Sequence, residues 1–368
     1  MPNYENLIKR TIELAKKGAG FVSPNPLVGA VIIKDGEIIS EGWHHQHGDI
    51  HAEIDAINNC KINDFSDCEI IVNLEPCSHS GKQPPCVDEI IKRKFKKVII
   101  GMSDPNPLVN GQGIKKLQDN GIEVISDVCK DECQTLNRFF IKNITQKKPY
   151  ITLKIATTLD GYIASQSRKR EWITCEESRK EVHKMRAEMD AVLVGRNTVL
   201  IDNPRLDARL INGRNPKRLV IDTKLQLPLE LYVFVDPNRN QTYIITSKET
   251  LTCRKANSLK LSDVNLIPVK VDENQQIDLN AMLDILYQEY KIGSILVEGG
   301  ATVLTSFINA NLMDEIIIYQ APILLGNGLK FYENSSIRSL KDGQKMEFTA
   351  GEKSGVDVKL SLRKKIDL

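Results

Sequence analysis

Strand and helix patterns alternate along this chain in two successive runs, and this alternation is what most restricts the folds open to it. In the first run an Asp35-Gly36 turn signal joins two short apolar strands. Buried strands and amphipathic helices then alternate up to residue 141. The polar segment 145–149 ends in Pro149 and is typical of a linker, after which a second run begins. The pattern predicts a three-layer α/β domain followed by a second α/β domain.

Some elements of this prediction are specific enough to be checked individually. The spacing of apolar residues predicts a helix that opens near Asp49 and runs through Ala56, and another over 131–141. The apolar run 232–235 predicts a strand. A buried strand over 294–298 leads into Gly299-Gly300 and then a helix.

Composition restricts the class of protein. The length of 368 residues suggests two or three domains, at about 150 residues each. The formal net charge of +2 lacks the basic excess of a nucleic-acid binder, so a small-molecule substrate is favoured. No apolar run approaches the roughly 20 residues of a membrane span, and the first residues do not have the layout of a signal peptide. We therefore expect a cytoplasmic protein without membrane association, whose eight cysteines form no disulfide framework.

A cluster of histidine and cysteine residues indicates a zinc site. His51-Ala52-Glu53 is an H-x-E element, and Glu75-Pro76-Cys77 together with Cys86 supplies two thiolates. A zinc deaminase needs three protein ligands and a carboxylate that is not a ligand but transfers protons. We therefore predict His51, Cys77 and Cys86 as ligands of one zinc ion and Glu53 as the proton shuttle. Because residues two apart on a helix point in different directions, His51 is expected in the first turn.

The spacing of the two cysteines departs from the common deaminase pattern. That pattern has two residues between the cysteines, whereas eight separate Cys77 from Cys86 here. The insertion is expected to place His79 and Lys82 beside the metal, where they would hold a polar or anionic substrate.

The second half carries a weaker signal of its own. A strand, Gly299-Gly300 and a helix form a plausible phosphate cradle, because glycine lets the backbone approach an anion at a helix N-terminus. It is not the G-x-G-x-x-G fingerprint, and a tight turn is the alternative interpretation.

The motifs together resemble the bifunctional riboflavin-biosynthesis enzymes, in which a pyrimidine deaminase is fused to a pyrimidine reductase. The resemblance covers essentially the whole chain and rests on these segments: Pro24-Asn25-Pro26-Leu27-Val28-Gly29-Ala30-Val31, Gly42-Trp43-His44, the zinc motifs, Asp104-Pro105-Asn106-Pro107, Leu159-Asp160-Gly161, Asp202-Asn203-Pro204-Arg205-Leu206 and Val297-Glu298-Gly299-Gly300. It implies a cytidine-deaminase-like domain over 1–145 and a dihydrofolate-reductase-like domain over 149–368. The implied substrate is a diaminopyrimidinone bearing a phosphoribosylamino group. The first site would remove its 2-amino group, and the second would reduce the ribosyl group to ribityl with NADPH.

The resemblance also implies roles for individual residues. In the first domain Asn25, His44, His79 and Lys82 would contact the substrate; turn chemistry for Asn25 and an ordinary surface histidine for His44 are the alternatives. In the second domain the implied substrate contacts are Arg186, Leu206, Arg209 and Glu298. The implied cofactor contacts are Ala156, Trp172, Thr198, Asp202, Gly300, Ala301, Thr302 and the following residues to Ser306. Lys154 is a further candidate for substrate contact.

One loop departs from the family pattern. Relatives usually have glycine and serine where this chain has Arg168 and Arg170. Arg170 either replaces the serine as a ligand of the substrate phosphate or points to solvent. The departure supports an alternative in which only the deaminase works and the reductase-like half is structural.

A nucleic-acid base editor and a closed structural zinc site are two further alternatives for the function of the chain. We also expect a homo-oligomer, since metabolic enzymes of this kind often assemble symmetrically.

Overall fold

The computed structural model describes residues 2–78, 84–107, 109–167, 169–334 and 336–364. The chain divides into two compact units, Met1–Lys147 and Lys148–Leu368. The division falls within the predicted linker, although the last helix of the first unit extends to Gln146.

The first unit is built around a five-stranded sheet with the strand order β2-β1-β3-β4-β5. β1 pairs antiparallel with β2 and β3, while β3, β4 and β5 are parallel. In chain order its elements are α1 (Tyr4–Lys16), β1 (Gly29–Lys34), β2 (Glu37–Trp43), α2 (Ala52–Asn59), β3 (Cys68–Val72), α3 (Cys86–Lys92), β4 (Lys97–Ile100), α4 (Gln112–Asp119), β5 (Glu123–Ile125), α5 (Lys130–Leu136) and α6 (Arg138–Gln146).

Both faces of this sheet are covered by helices. Successive side chains of a strand point to opposite faces, so Ala30 and Ile32 pack with α2, α3 and α4, while Val31 and Ile33 pack with α1, α5 and α6. Strands buried on both faces have nearly continuous apolar sequences, as β1 and β3 do. The predicted three-layer α/β arrangement is confirmed.

The second unit contains a nine-stranded sheet with the order β11-β10-β9-β8-β12-β6-β13-β16-β15. Its strands are parallel except at one edge, where β16 and β15 run antiparallel to their neighbours. Its elements are β6 (Tyr150–Thr157), β7 (Tyr162–Ala164), α7 (Glu176–Glu188), β8 (Ala191–Gly195), α8 (Arg196–Asp202), β9 (Lys217–Ile221), α9 (Tyr232–Val235), β10 (Thr242–Ser247), α10 (Arg254–Leu261), β11 (Asn265–Val269), α11 (Leu279–Gln288), β12 (Ser294–Gly299), α12 (Ala301–Asn309), β13 (Glu315–Gln320), β14 (Leu329–Lys330), β15 (Glu347–Ser354) and β16 (Asp357–Arg363).

Two predicted elements were wrong in form. Residues 232–235 form a single helical turn instead of a strand, and the side chain of Asn203 accepts a hydrogen bond from the amide of Tyr232 at its start. A short apolar run does not distinguish the two structures by periodicity. The helix predicted over 131–141 is two helices that meet at Asn137. The side chain of Asn137 bonds both the amide and the carbonyl of Leu27, so a distant loop determines where α5 ends.

Candidate active sites

Three elements of the first unit bring the predicted zinc ligands together. His51 is the N-cap of α2, Cys77 lies in the loop that follows β3, and Cys86 is the first residue of α3. Their potential ligand atoms all lie within 4.8 Å of one another. The Nδ1 atom of His51 is 3.2 Å from the sulfur of Cys86 and 3.5 Å from that of Cys77.

This geometry fits a tetrahedral zinc ion. Bond lengths of about 2.0 Å to nitrogen and about 2.3 Å to sulfur at tetrahedral angles separate the two ligand atoms by roughly 3.5 Å. The separations between His51 and the two sulfurs are close to that value. The amide of Cys86 donates to the sulfur of Cys77 at 3.3 Å. Hydrogen bonds from Cys86 and His51 lower the pKa of the Cys77 thiol, which favours the thiolate that a metal requires.

Glu53 lies beside this cluster without belonging to it. Its side chain is buried, and burial together with the neighbouring charge of Cys77 raises the pKa of Glu53 to about 7. The helix begins at Ala52 instead of near Asp49, so His51 precedes the first turn. Residues two apart within a helix point in different directions, but His51 has an extended backbone and only Glu53 lies in the helix. This restriction therefore does not apply to the pair.

Two of the predicted substrate contacts lie next to the metal cluster. The amide nitrogen of Asn25 is 3.0 Å from Nε2 of His44, and Nδ1 of His44 is 2.9 Å from the carbonyl of Ile50. Nε2 therefore accepts from Asn25, while Nδ1 carries the proton and donates to Ile50. The His44 ring packs edge-on against that of His51, with ring centres 5.8 Å apart. His44 is buried and not a surface histidine. His79 and Lys82 lie outside the described residues.

Glu75, which supports the Cys77 loop, was not predicted from the sequence. The buried carboxylate of Glu75 accepts four backbone hydrogen bonds, two on each oxygen. The donors are the amides of Asp104 and Gly111 at 3.0 Å, Gly113 at 2.9 Å and Ile114 at 3.2 Å. A side chain at Gly113 would lie 2.4 Å from the carbonyl of Pro76. Two sequence features could have indicated this role of Glu75: its position directly before Pro76-Cys77, and the glycines at 111 and 113.

The second unit contains a cleft of about 1190 Å³, lined by residues from β6, α7, β8, α8, β12 and α12. Clefts in open α/β sheets form outside the carboxyl ends of the parallel strands. Most of the described residues predicted for the reductase site line this cleft: Ala156, Arg170, Trp172, Arg186, Thr198, Asp202, Leu206, Arg209, Glu298, Gly300, Ala301 and Thr302, together with Lys154, Val303, Leu304 and Ser306. Thr305, within the predicted stretch to Ser306, is not among the lining residues.

A buried ion-pair network forms one wall of the cleft. Arg186 donates to both carboxylate oxygens of Glu298, at 2.5 Å from Nε and 2.8 Å from Nη2. The ammonium of Lys154 is 3.4 Å from the same carboxylate. Burial alone raises the pKa of Glu298, but the positive charges of Arg186 and Lys154 outweigh it and lower the pKa to about 2.

The turn at the start of α12, which also lines the cleft, fits the phosphates of a dinucleotide. Gly300 precedes α12 with a φ of 69°, and a side chain there would lie 2.9 Å from the hydroxyl of Thr198. Thr198 donates to the carbonyl of Gly299 at 3.1 Å, which fixes this turn. Open backbone at the N-terminus of a helix is a favourable place for a phosphate. The residues present therefore fit NADPH.

Arg170 lies at the cleft, and its side chain contacts other residues of the cleft wall. Its guanidinium is 5.0 Å from the ring centre of Trp172, and Nη1 donates to the carbonyl of Asp202 at 3.2 Å. Trp172 is 62% exposed, with Arg179 against the same ring. Arg168 lies outside the described residues.

Two of the predicted substrate-binding residues, Leu206 and Arg209, are held in place by contacts within the protein. The Leu206 side chain packs into the core beneath the cleft, on a backbone with a φ of 56°. Arg209 pairs with Asp207, two residues earlier in the same loop.

A zinc-ligand cluster on a three-layer domain, joined to an α/β unit with a nucleotide-sized cleft, defines a two-domain deaminase–reductase. Residues 1–102 match the cytidine and deoxycytidylate deaminase zinc-binding region, and residues 149–360 match the RibD C-terminal domain. The riboflavin biosynthesis protein RibD of Actinobacillus pleuropneumoniae is 41% identical over 87% of this chain and 84% of that protein. That of Aquifex aeolicus is 39% identical over 96% of both.

Solved structures agree with these relatives. A deaminase/reductase from Thermotoga maritima is 38% identical, with a TM-score of 0.84 over 98% of this chain and 99% of that one. One form of Acinetobacter baumannii RibD is 32% identical, with a TM-score of 0.85 over 98% of both chains. The chain belongs to the RibD family of bifunctional riboflavin-biosynthesis enzymes.

Family membership confirms several predictions from the sequence. The protein is an enzyme with a zinc-dependent deaminase domain and an NADPH-dependent reductase domain, and the predicted fold class is confirmed. The alternative of a deaminase with an inactive second half is not favoured, because the reductase family match spans that half. None of the described helices combines the length and apolar character that a membrane span requires.

Proposed function

We propose that residues 1–145 deaminate a diaminopyrimidinone that carries a phosphoribosylamino group, and that residues 149–368 then reduce its ribosyl group to ribityl. The observation that carries the first half is the convergence of His51 on the sulfurs of Cys77 and Cys86, beside the buried carboxyl of Glu53. The Thermotoga maritima relative is a diaminohydroxyphosphoribosylaminopyrimidine deaminase and 5-amino-6-(5-phosphoribosylamino)uracil reductase, and these two activities correspond to the proposed pair of reactions.

In the deaminase site His51, Cys77 and Cys86 hold the metal. Zinc bound there would supply a nucleophile near neutral pH, because the metal lowers the pKa of a bound water to about 7. Glu53 accepts the proton on its carboxylate and returns it to the ring nitrogen and the departing amine. Burial raises the pKa of this carboxyl above its ordinary value, which favours its role as a proton carrier. Asn25 and His44 are proposed to contact the pyrimidine; because both ring nitrogens of His44 are already bonded to Asn25 and Ile50, its main task is to hold Asn25 in place. His79 and Lys82 are proposed to contact the substrate from the insertion.

In the reductase site the chain supplies binding and orientation. NADPH supplies the hydride when bound. Gly300, Ala301 and Thr302 bind its phosphates at the N-terminus of α12, and the remaining cofactor contacts are Ala156, Trp172, Thr198 and Asp202. Arg170, Arg186, Leu206, Arg209 and Glu298 bind the substrate. Because three N–H groups of Arg186 are already used within the protein, its main task is to hold the carboxylate of Glu298 in place.

A two-stage assay tests this function. Zinc-loaded protein is given the phosphoribosylamino diaminopyrimidinone, ammonia release is followed, and NADPH is then added and its oxidation recorded. Ammonia followed by oxidation supports both halves. Ammonia without oxidation contradicts the reductase assignment, and no ammonia contradicts the deaminase assignment. NADH in place of NADPH in the second stage tests the choice of cofactor.

The remaining expectations also stay proposals. We propose a cytoplasmic homo-oligomer that does not bind nucleic acid. The eight cysteines are all free thiols, which supports a reducing compartment. The exposed edge strand β15, with Phe348 61% exposed, supports assembly, since unprotected edges tend to pair. Light scattering of the purified protein, with and without RNA, tests the oligomer and the absence of nucleic-acid binding.

A further inference from the structure

His183 lies in the wall of the reductase cleft and has no role in the site described so far. It is on α7, three residues before Arg186, so the two side chains lie on the same face of the helix. Only 5% of His183 is exposed, and it lines the cleft. A polar ring that is almost fully buried at the edge of a substrate cleft requires a partner for each of its nitrogens.

One ring nitrogen is already used within the protein. The amide of Leu210 donates to Nδ1 of His183 at 3.4 Å. Because Nδ1 accepts, the proton of the neutral ring is on Nε2. In the part of the chain that the structure describes, this is the one hydrogen bond of the ring, which leaves Nε2–H as a donor. Burial and the charges of Arg186 and Arg209 lower the pKa of His183 to about 4, so the ring is neutral at pH 7.

The surroundings favour an anionic acceptor for this donor. Arg186 uses Nε and Nη2 on Glu298 and Nη1 on the carbonyl of Asp207, at 2.9 Å for the last. Arg209 is more accessible: its side chain is 38% exposed and pairs with Asp207 in the same loop. A phosphate near Arg209 would therefore meet one accessible guanidinium and one buried, neutral N–H donor.

We propose that His183 is a substrate-binding residue of the reductase, and that its Nε2–H donates to a phosphate oxygen of the phosphoribosyl group beside Arg209. The inference rests on the proposed function for the identity of this phosphate. A hydrogen bond from a fixed donor to an anion is stronger than one between neutral groups. It also orients the sugar, because the ring is held in turn by the backbone of Leu210.

Ribose 5-phosphate and ribose are the probes for this site. Each is titrated by calorimetry into the wild-type protein, His183→Gln, His183→Asn and the control Lys184→Ala, whose side chain is 69% exposed on the same helix. The glutamine amide nitrogen replaces Nε2, whereas the asparagine amide replaces only Nδ1. We expect His183→Asn to weaken ribose 5-phosphate binding about tenfold or more, and His183→Gln to stay within about threefold of wild type. The Lys184→Ala control should match wild type.

The outcomes separate the possible roles of His183. An equal loss for ribose and ribose 5-phosphate would overturn the phosphate as acceptor. Wild-type binding by His183→Asn with loss in His183→Gln would show that the ring only anchors Leu210, and would overturn the proposal. The KM for NADPH and the rate of ammonia release should not change in either variant. If the wild-type protein oxidises no NADPH but the binding pattern holds, the proposed reduction fails, whereas the hydrogen bond from His183 to a sugar phosphate is supported.

Discussion

The guanidinium of Arg186 faces the carboxylate of Glu298 side-on, and two of its N–H groups donate to the two carboxylate oxygens. Both side chains are nearly inaccessible, at 13% and 8% exposed. The pair joins α7 to the end of β12, two elements that are 112 residues apart in sequence. Each buried charge is therefore stabilised in the wall of the cleft by the opposite charge of its partner.

Removal of one partner should destabilise the second unit. We expect Arg186→Met to lower the free energy of unfolding by about 3–5 kcal/mol, because it leaves the carboxylate of Glu298 buried with only Lys154 to compensate it. Lys180→Met on the same helix removes an exposed pair and should cost less than about 1 kcal/mol. Urea unfolding followed by circular dichroism measures both. Equal stability of the two variants would contradict the energetic role of the pair.

Acid should destabilise the same network. The pKa of Glu298 is lowered to about 2 in the folded protein from an ordinary 4.5, so the unfolded chain binds more protons between these values. The stabilisation is present above pH 4.5 and is lost as the pH falls towards 2. In Glu298→Gln the stability of the reductase unit should depend less on pH in this window, and NADPH oxidation should fall at pH 7 while ammonia release continues. Glu289→Gln, an exposed carboxylate of the same unit, is the control.

Loss of either thiolate should remove the metal. We expect Cys77→Ser and Cys86→Ser to lower the zinc content of the purified protein severalfold or more and to abolish ammonia release, since two protein ligands do not hold zinc tightly. Cys60→Ser changes a partly buried cysteine of the same unit that is outside the cluster and should keep full zinc. Atomic emission spectroscopy gives the metal content. Full occupancy in both cluster variants would refute the ligand set.

Glu53 should affect turnover without affecting the metal. Glu53→Gln keeps the size of the side chain but removes the group that accepts a proton, so ammonia release should fall by about 100-fold or more. Zinc content and NADPH oxidation of the deaminated substrate should remain at wild-type levels. A variant that releases ammonia normally would exclude Glu53 as the proton shuttle.

Glu75 should support the deaminase site through its loop. In Glu75→Gln the new NH₂ group meets two backbone amides that previously donated to oxygen, so two buried donors lose their acceptor. We expect the first unit to lose about 1–3 kcal/mol of stability and ammonia release to fall. NADPH oxidation by the second unit is the internal reference. Glu123→Gln, on an exposed side chain of β5, should change neither activity. Unchanged stability of Glu75→Gln would show that the four amides find other acceptors.

The zinc cluster was predictable because its chemistry is local in sequence. An H-x-E element and two cysteines at strand-to-helix junctions have few uses other than a metal site, and the apolar periodicity of the flanking segments located those junctions. The α/β layers followed from the same periodicity. In contrast, the helical turn Tyr232–Val235 and the break between α5 and α6 at Asn137 depend on contacts with Asn203 and Leu27, which are distant in sequence.

The sequence by itself determined the fold class, the family and the residue types of both sites. Only the tertiary structure decided which groups are already paired: the four amides on Glu75, the three N–H groups of Arg186, and the one occupied nitrogen of His183. These contacts join residues 21 to 112 positions apart, as the Arg186 pairs show. Periodicity reports which side of an element is buried, whereas hydrogen bonding depends on which atoms the fold places within about 3 Å of each other.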